Sequence, residues 1–256
     1  MKMQSTKRTE IENGVATIII NNPEKRNCLD VTGADQFGQA CAEAAENDAA
    51  KVIVLRGAGG KAFSAGADLS SVVDSDDIVQ AVLDMAAAID RMTSLIAAIR
   101  KPVIAAIEGV CLGGGLQIAA AADIRLASQS AVMGIPAIQR GFIASPAGIA
   151  RLIRLVGAGA TKLLLLEGGM WRGDDALAKG LFDIMVPKEE FDEKLGAFSK
   201  SMAALDGTAL AASKRMVDTL SSLDDTILAN LQKLHDKVNS NEKIRETLAE
   251  FSKRKA

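Results

Sequence analysis

Short apolar blocks alternate along this chain with longer amphipathic stretches. Residues 14–21 are rich in branched side chains and stop at Asn22-Pro23, which predicts a strand. Asp30 stands where it can cap a helix running to about Glu46. Residues 51–56 read as a short buried strand that closes in Gly57-Ala58-Gly59-Gly60. Between Asp76 and Ile99 the apolar residues Val79, Val82, Leu83, Ala86 and Ile89 share one helical face. Residues 102–107 are again strand-like and run into Gly113-Gly114-Gly115 and a helix through Ala122, after which 123–127 and 131–133 read as strands. Strand, helix and strand recur at roughly 50-residue spacing, as in right-handed α/β crossovers. After about residue 195 the pattern is helical throughout, with apolar spacing over 209–220 and 228–240.

Composition narrows this picture. The 256 residues are 48% hydrophobic but only 3% aromatic, so Ala, Ile, Leu, Val and Met must build the core. A net charge of −2 offers no basic footprint for nucleic acid. The N-terminal residues 1–8 are polar and unlike a secretory signal, and no apolar run spans a bilayer; residues 163–166 read as a buried helix turn. Cys28, Cys41 and Cys111 lie in no metal-like spacing and read as reduced, buried residues, so the expected location is cytoplasmic.

The candidate chemistry lies in two glycine-bearing turns, Ser64-Ala65-Gly66-Ala67-Asp68-Leu69 and Leu112-Gly113-Gly114-Gly115-Leu116-Gln117, each following a strand. Such turns can aim bare main-chain N–H groups at one point, the requirement for holding a developing oxyanion. A triple glycine opening a helix also exposes unpaired amides at the positive end of the helix dipole. Gly157-Ala158-Gly159-Ala160 follows a helical segment and lacks the third glycine of a dinucleotide loop, and Gly57-Ala58-Gly59-Gly60-Lys61 lacks the P-loop ending.

On these motifs, together with Asn22-Pro23-Glu24-Lys25-Arg26-Asn27, Lys101-Pro102-Val103-Ile104-Ala105-Ala106, Ala122-Asp123-Ile124-Arg125 and Arg151-Leu152 before Val156-Gly157, the chain resembles the crotonase superfamily, the enoyl-CoA hydratase/isomerase family. The resemblance runs nearly end to end. It implies an α/β spiral of ββα units over residues 1–195, followed by a helical trimerisation region over 196–256. It implies that the amides of Ala67 and Gly114 form the oxyanion hole for an acyl-CoA thioester. Coenzyme A enters as part of the substrate, with no metal and no permanently bound cofactor. Lys25, Arg26, Ala65, Asp68 and Leu69 would line its path, and Lys253 would reach the nucleotide of an adjacent subunit in a homotrimer or a dimer of trimers. Asp68 is expected to bond its own loop. For Lys25, Arg26 and Lys253 a solvated surface charge is the competing reading.

The pattern breaks at the proton-handling positions. Hydratases of the family use two glutamates; Gln117 and Ala137 stand there in this chain. A glutamine can position water but is no general base. An acid used by other branches is replaced by Ser145, for which a hydroxyl bonded to backbone is the competing reading. Glu108 is expected in a supporting role or at a subunit contact, Asp74, Asp76 and Asp77 as caps of the next helix or in the segment that shapes the acyl pocket, and His235 at a surface or interface. The expected function is an acyl-CoA lyase or isomerase working through a stabilised enolate, unlike a two-glutamate hydratase. A binding protein of the same fold that has lost turnover is the alternative.

Overall fold

A computed structural model describes residues 7–73, 76–140 and 143–221. The chain divides into two units, residues 1–204 and residues 205–256. In the first, the strands are β1 (Lys7–Glu12), β2 (Val15–Ile20), β3 (Val52–Gly57), β4 (Ala62–Ser64), β5 (Val103–Ile107), β6 (Val110–Leu112), β7 (Ile124–Ser128), β8 (Val132–Gly134), β9 (Met170–Arg172) and β10 (Ile184–Val186). The helices are α1 (Val31–Glu46), α2 (Leu69–Val73), α3 (Ile78–Ala97), α4 (Gly114–Ala121), α5 (Pro146–Glu167), α6 (Gly173–Ala178) and α7 (Phe191–Ala203). In the second unit, α8 (Gly207–Leu220) is capped by Asp206, whose carboxylate accepts from the Ala209 amide.

The strands form two sheets. One has the order β1-β2-β3-β5-β7-β10, the other β4-β6-β8-β9. The topology follows from a repeated ββα unit. In three successive units the first strand (β3, β5, β7) joins the large sheet and the second (β4, β6, β8) joins the small one. Each unit pairs in parallel with the next, as crossover connections require. The crossover expectation from the sequence therefore holds, and the α/β spiral with it. The central strand β5 is buried at every position, as a parallel strand covered on both faces must be.

The caps are local. Asp30 accepts from the Gly33 amide and starts α1; Asp77 accepts from the Gln80 amide and starts α3. Met85, Ile89, Met92 and Ile96 carry the buried face of α3 into the main core beside Phe37 and Cys41 of α1. A second apolar cluster, with Val54, Ile104, Leu126 and Phe191, fills the other face of the large sheet. All three cysteines are buried and unpaired, as expected.

Three points differ from the sequence reading. Of the apolar face expected on α3, Ile89 is buried, but Leu83 is 58% exposed and Ala86 is exposed; the buried face runs instead through Met85, Ile89, Met92 and Ile96. Residues 163–166 do not form a wholly buried turn. Leu164 is fully buried, but Leu163 is 48% and Leu166 76% exposed, because successive residues of a helix point to different faces. β1 was not foreseen: its Lys7-Arg8-Thr9-Glu10 start is polar, and its antiparallel place at the sheet edge is set by pairing with β2. Among the described residues no helix is long and apolar enough to cross a membrane.

One buried side chain locks the first turn to the loop before α1. Asn27, fully buried and in the left-handed conformation at φ 57°, donates through Nδ2 to the carbonyls of Ala58 (2.9 Å) and Ala62 (2.7 Å). Its Oδ1 accepts from the Asn22 amide at 2.9 Å, and its own carbonyl accepts from Ser64 Oγ at 2.8 Å. Asn27→Ala strands buried carbonyls and removes a residue suited to positive φ, so it should cost about 2–4 kcal/mol. Urea denaturation of parent and variant measures it.

Candidate active site

The parallel pairing of β4 with β6, with Ser64 opposite Cys111, brings their C-terminal ends side by side. The turns that follow are thereby pressed together. A Cβ built on Gly66 would lie 2.7 Å from the Gly114 nitrogen and 2.7 Å from the Leu112 carbonyl oxygen, and Gly66 has φ +91°. One built on Gly115 would lie 2.2 Å from the Ser64 carbonyl oxygen. Only glycine permits this approach.

The turn at 64–68 is held by its own amides. Ala65 donates to the Arg26 carbonyl (2.9 Å), Gly66 to Ser64 Oγ (3.1 Å) and Asp68 to the Leu29 carbonyl (2.7 Å), while the Gly66 carbonyl accepts from Leu29 (2.9 Å). The Ala67 amide between them is left without an acceptor among the described residues. On the other turn, Gly113 precedes α4 and supplies no side-chain cap. The Gly114 amide at the first helical position therefore has no partner within the helix and sits at the positive end of its dipole.

Gln117 lies on the same helix and is only 8% exposed, yet its Oε1 has no hydrogen-bond partner among the described residues. It abuts the start of α5, where a Cβ on Gly148 would meet Gln117 Oε1 at 2.6 Å and Ser145 Oγ at 3.3 Å. Ser145 caps α5 by accepting from the Gly148 amide at 3.1 Å. Its hydroxyl is not spent on backbone alone, since it donates to Asp90 Oδ1 at 2.5 Å. Asp90 on α3 is the residue that sequence reasoning missed. It follows Ile89 on an amphipathic helix and reads there as one more solvated acid; only the packing of α3 against α4 and α5 reveals its partner.

The residues expected along the coenzyme A path are placed unevenly. Lys25 Nζ lies 2.8 Å from Asp68 Oδ2 and 3.0 Å from Ser70 Oγ. Asp68 also accepts from the amide and hydroxyl of Ser70, the loop-bonding role expected of it. Burial raises the Asp68 carboxyl, but hydrogen bonds from Lys25 and Ser70 outweigh that and hold it below the usual carboxylate range. Arg26 is exposed with φ 53°, Ala65 is half-buried, and Leu69 is exposed at the start of α2. Nearby, burial, with Asp68 adding to it, pushes the Cys28 thiol up to about 11. Ala137 packs on the main core, and Glu108 joins Arg56 at 3.2 Å, which also meets Asp192 at 3.0 Å. Lys253, His235, Asp74 and the predicted helix at 228–240 lie outside the described residues. Among the described residues there is no cluster of side chains able to hold a metal ion.

This architecture has counterparts among known proteins. The enoyl-CoA hydratase/isomerase family model matches residues 10–256, so the chain belongs to that family. It is 31% identical over 221 residues to a short-chain-enoyl-CoA hydratase of Clostridium acetobutylicum, covering 86% of this chain and 84% of that one. Identity to a crotonyl-CoA hydratase of Syntrophomonas wolfei is 33% over 181 residues, or 71% and 69% of the two chains. A crystal structure of an enoyl-CoA hydratase from Bacillus anthracis superposes with a TM-score of 0.90 at 26% identity, covering 98% of this chain and 97% of that one.

The Lys25–Asp68 pair makes a pH-dependent prediction. A carboxyl depressed on folding contributes stability above its unfolded pKa and loses it as pH falls through the folded value. Lys25→Met should lower stability at pH 7 by up to about 1 kcal/mol, since the lysine is half exposed. The difference from the parent should vanish in acid once Asp68 is protonated, as denaturation curves at the two pH values will show.

Proposed function

We propose that this protein is an enzyme acting on an acyl-CoA thioester through an enolate held by the amides of Ala67 and Gly114. The observation that carries this reading is the uncapped start of α4, with the Gly114 nitrogen against Gly66. Proton loss beside a thioester, or addition to its conjugated alkene, moves negative charge onto the carbonyl oxygen. Two fixed donors stabilise that charge, and losing one costs about 10²–10³ in rate in comparable sites. The relatives named as hydratases support hydration as the reaction class, and the hydratase/isomerase family adds double-bond isomerisation. With Gln117 and Ala137 at the two glutamate positions, the mechanism differs from a two-carboxylate hydration. Coenzyme A comes and goes with the substrate. Lys25, Arg26 and Lys253 are the cations proposed for its phosphates, and Lys25 would exchange its bond to Asp68 for one to phosphate. Residues 196–256 are proposed as the subunit-contact region of a homotrimer or a dimer of trimers, which sedimentation would measure.

The unpartnered Gln117 Oε1 and the alanine at 137 favour one competing reading, a thioester-binding protein without turnover. Spectrophotometric assays with crotonyl-CoA and a 3-enoyl-CoA, run beside calorimetric binding, separate the two. Turnover is the expected result, and binding without turnover on either substrate supports the competing reading. Gly114→Val should lower kcat/KM by at least about 10²-fold, because its side chain would fill the approach to the amide. Normal turnover in that variant would overturn the assignment.

A further inference from the structure

The geometry points to Asp90 as the carboxylate that moves protons in this site, in place of the two glutamates the chain lacks. The inference rests on the thioester reading above and concerns a residue on α3, outside both glycine turns.

The contacts form a closed ring. Ile89 Cδ1 lies 3.0 Å from where a Gly114 Cβ would stand, so the residue before Asp90 touches the start of α4. Gln117 lies one turn further along α4 and places Oε1 against Gly148. Ser145 Oγ is against the same point of Gly148, and it donates to Asp90 Oδ1 at 2.5 Å. The ring thus runs from Gly114 through Gln117, Gly148, Ser145 and Asp90 back to Ile89. It holds a carboxylate, a hydroxyl and an amide oxygen with no donor among the described residues.

Arg151 stands close enough to Asp90 for the two to interact electrostatically. Arg151 on α5 is half-buried; burial lowers its guanidinium, and Asp90 acts in the opposite sense. Arg151 itself bonds Thr93 Oγ1 at 3.0 Å and Ser94 Oγ at 3.2 Å, so it attracts Asp90 without claiming its oxygens. The neighbouring Arg91 is engaged with Asp35 on α1. Ser145 donates to one carboxylate oxygen and fixes its direction, a positioning role. Ser145 is the one side chain bonded to the Asp90 carboxylate among the described residues, and it takes Oδ1 rather than Oδ2.

The step balances without a co-reactant. Asp90 takes a proton from carbon 2 of the acyl group, and the C–H electron pair moves into the thioester carbonyl. The enolate oxygen rests on the amides of Ala67 and Gly114. Asp90, now protonated, returns the proton to carbon 2, or to carbon 4 when a 3,4 double bond is present, which then moves to the 2,3 position.

The test is solvent deuterium exchange at carbon 2 of butyryl-CoA, followed by mass spectrometry on the full chain, with calorimetric binding of the same thioester alongside. Asp90→Asn and Asp90→Ala should bind butyryl-CoA as the parent does and lose exchange by about 10²–10⁴-fold. Added formate should restore part of the exchange to Asp90→Ala, which a merely structural role would not produce. Asp90→Glu keeps the charge should the other variants fold poorly, and its displaced carboxylate should slow exchange without weakening binding. Parental exchange in any folded variant, or a folded Asp90→Ala that formate does not revive, overturns the role of Asp90. So does a parent that binds the thioester without exchange, although the thioester reading then stands. A parent that binds no thioester overturns that reading itself.

Discussion

The candidate site depends on one close approach, that of the backbone at Gly66 to the backbone at Gly114. A single methyl group at Gly66 would stand within 2.7 Å of the Gly114 nitrogen. This contact is possible because β4 and β6 are parallel neighbours whose ends finish at the same level. The rest of the spiral supports that alignment. Each ββα unit places its second strand beside that of the unit before, so turns far apart in sequence share one end of the small sheet.

The energetic supports of the first turn are polar and buried. Asn27 and Ser64 hold the turn through side-chain to backbone bonds, and Lys25 and Ser70 neutralise and fix Asp68 just beyond it. Such fully satisfied networks make a loop rigid at the cost of tolerating few substitutions. Rigidity matters for the proposed chemistry, because donors that are already aimed need no reorganisation as charge develops. The main core delivers the second part of the site. The apolar face of α3 inserts beside α1 and sets Ile89 against α4, leaving Asp90 at the margin of the core where it meets Ser145.

The family pattern and its exceptions then describe one design. In the proposed function the groups that would bind a thioester oxygen are main-chain amides, which survive changes of side chain. The groups that would move protons are side chains, and there the chain departs from the pattern the resemblance implies, with Gln117, Ala137 and Ser145 where acids are expected. A carboxylate reaching the same region from another helix is consistent with a site whose scaffold is kept while its acid-base group is relocated.

Periodicity and punctuation were enough to read much of the chain. The branched run before Asn22-Pro23, the Asp30 and Asp77 caps, the helical period of α3 (though not which of its residues are buried) and the triple glycine before α4 are all local signals, each with a local physical cause. The three-residue strands β4 and β6 carry too few positions to show a period, and the polar start of β1 has none, so pairing alone defines them. The glycine turns were legible as donors of bare amides from composition and order. That they touch was decided by the small sheet, since strand pairing joins residues almost fifty positions apart. Asp90 marks the same boundary. On a helix wheel it is an ordinary acid beside an apolar stripe, and its partner Ser145 is 55 residues away. A side chain's neighbours along the chain are set by helical geometry, whereas its neighbours across helices exist only once the core has packed.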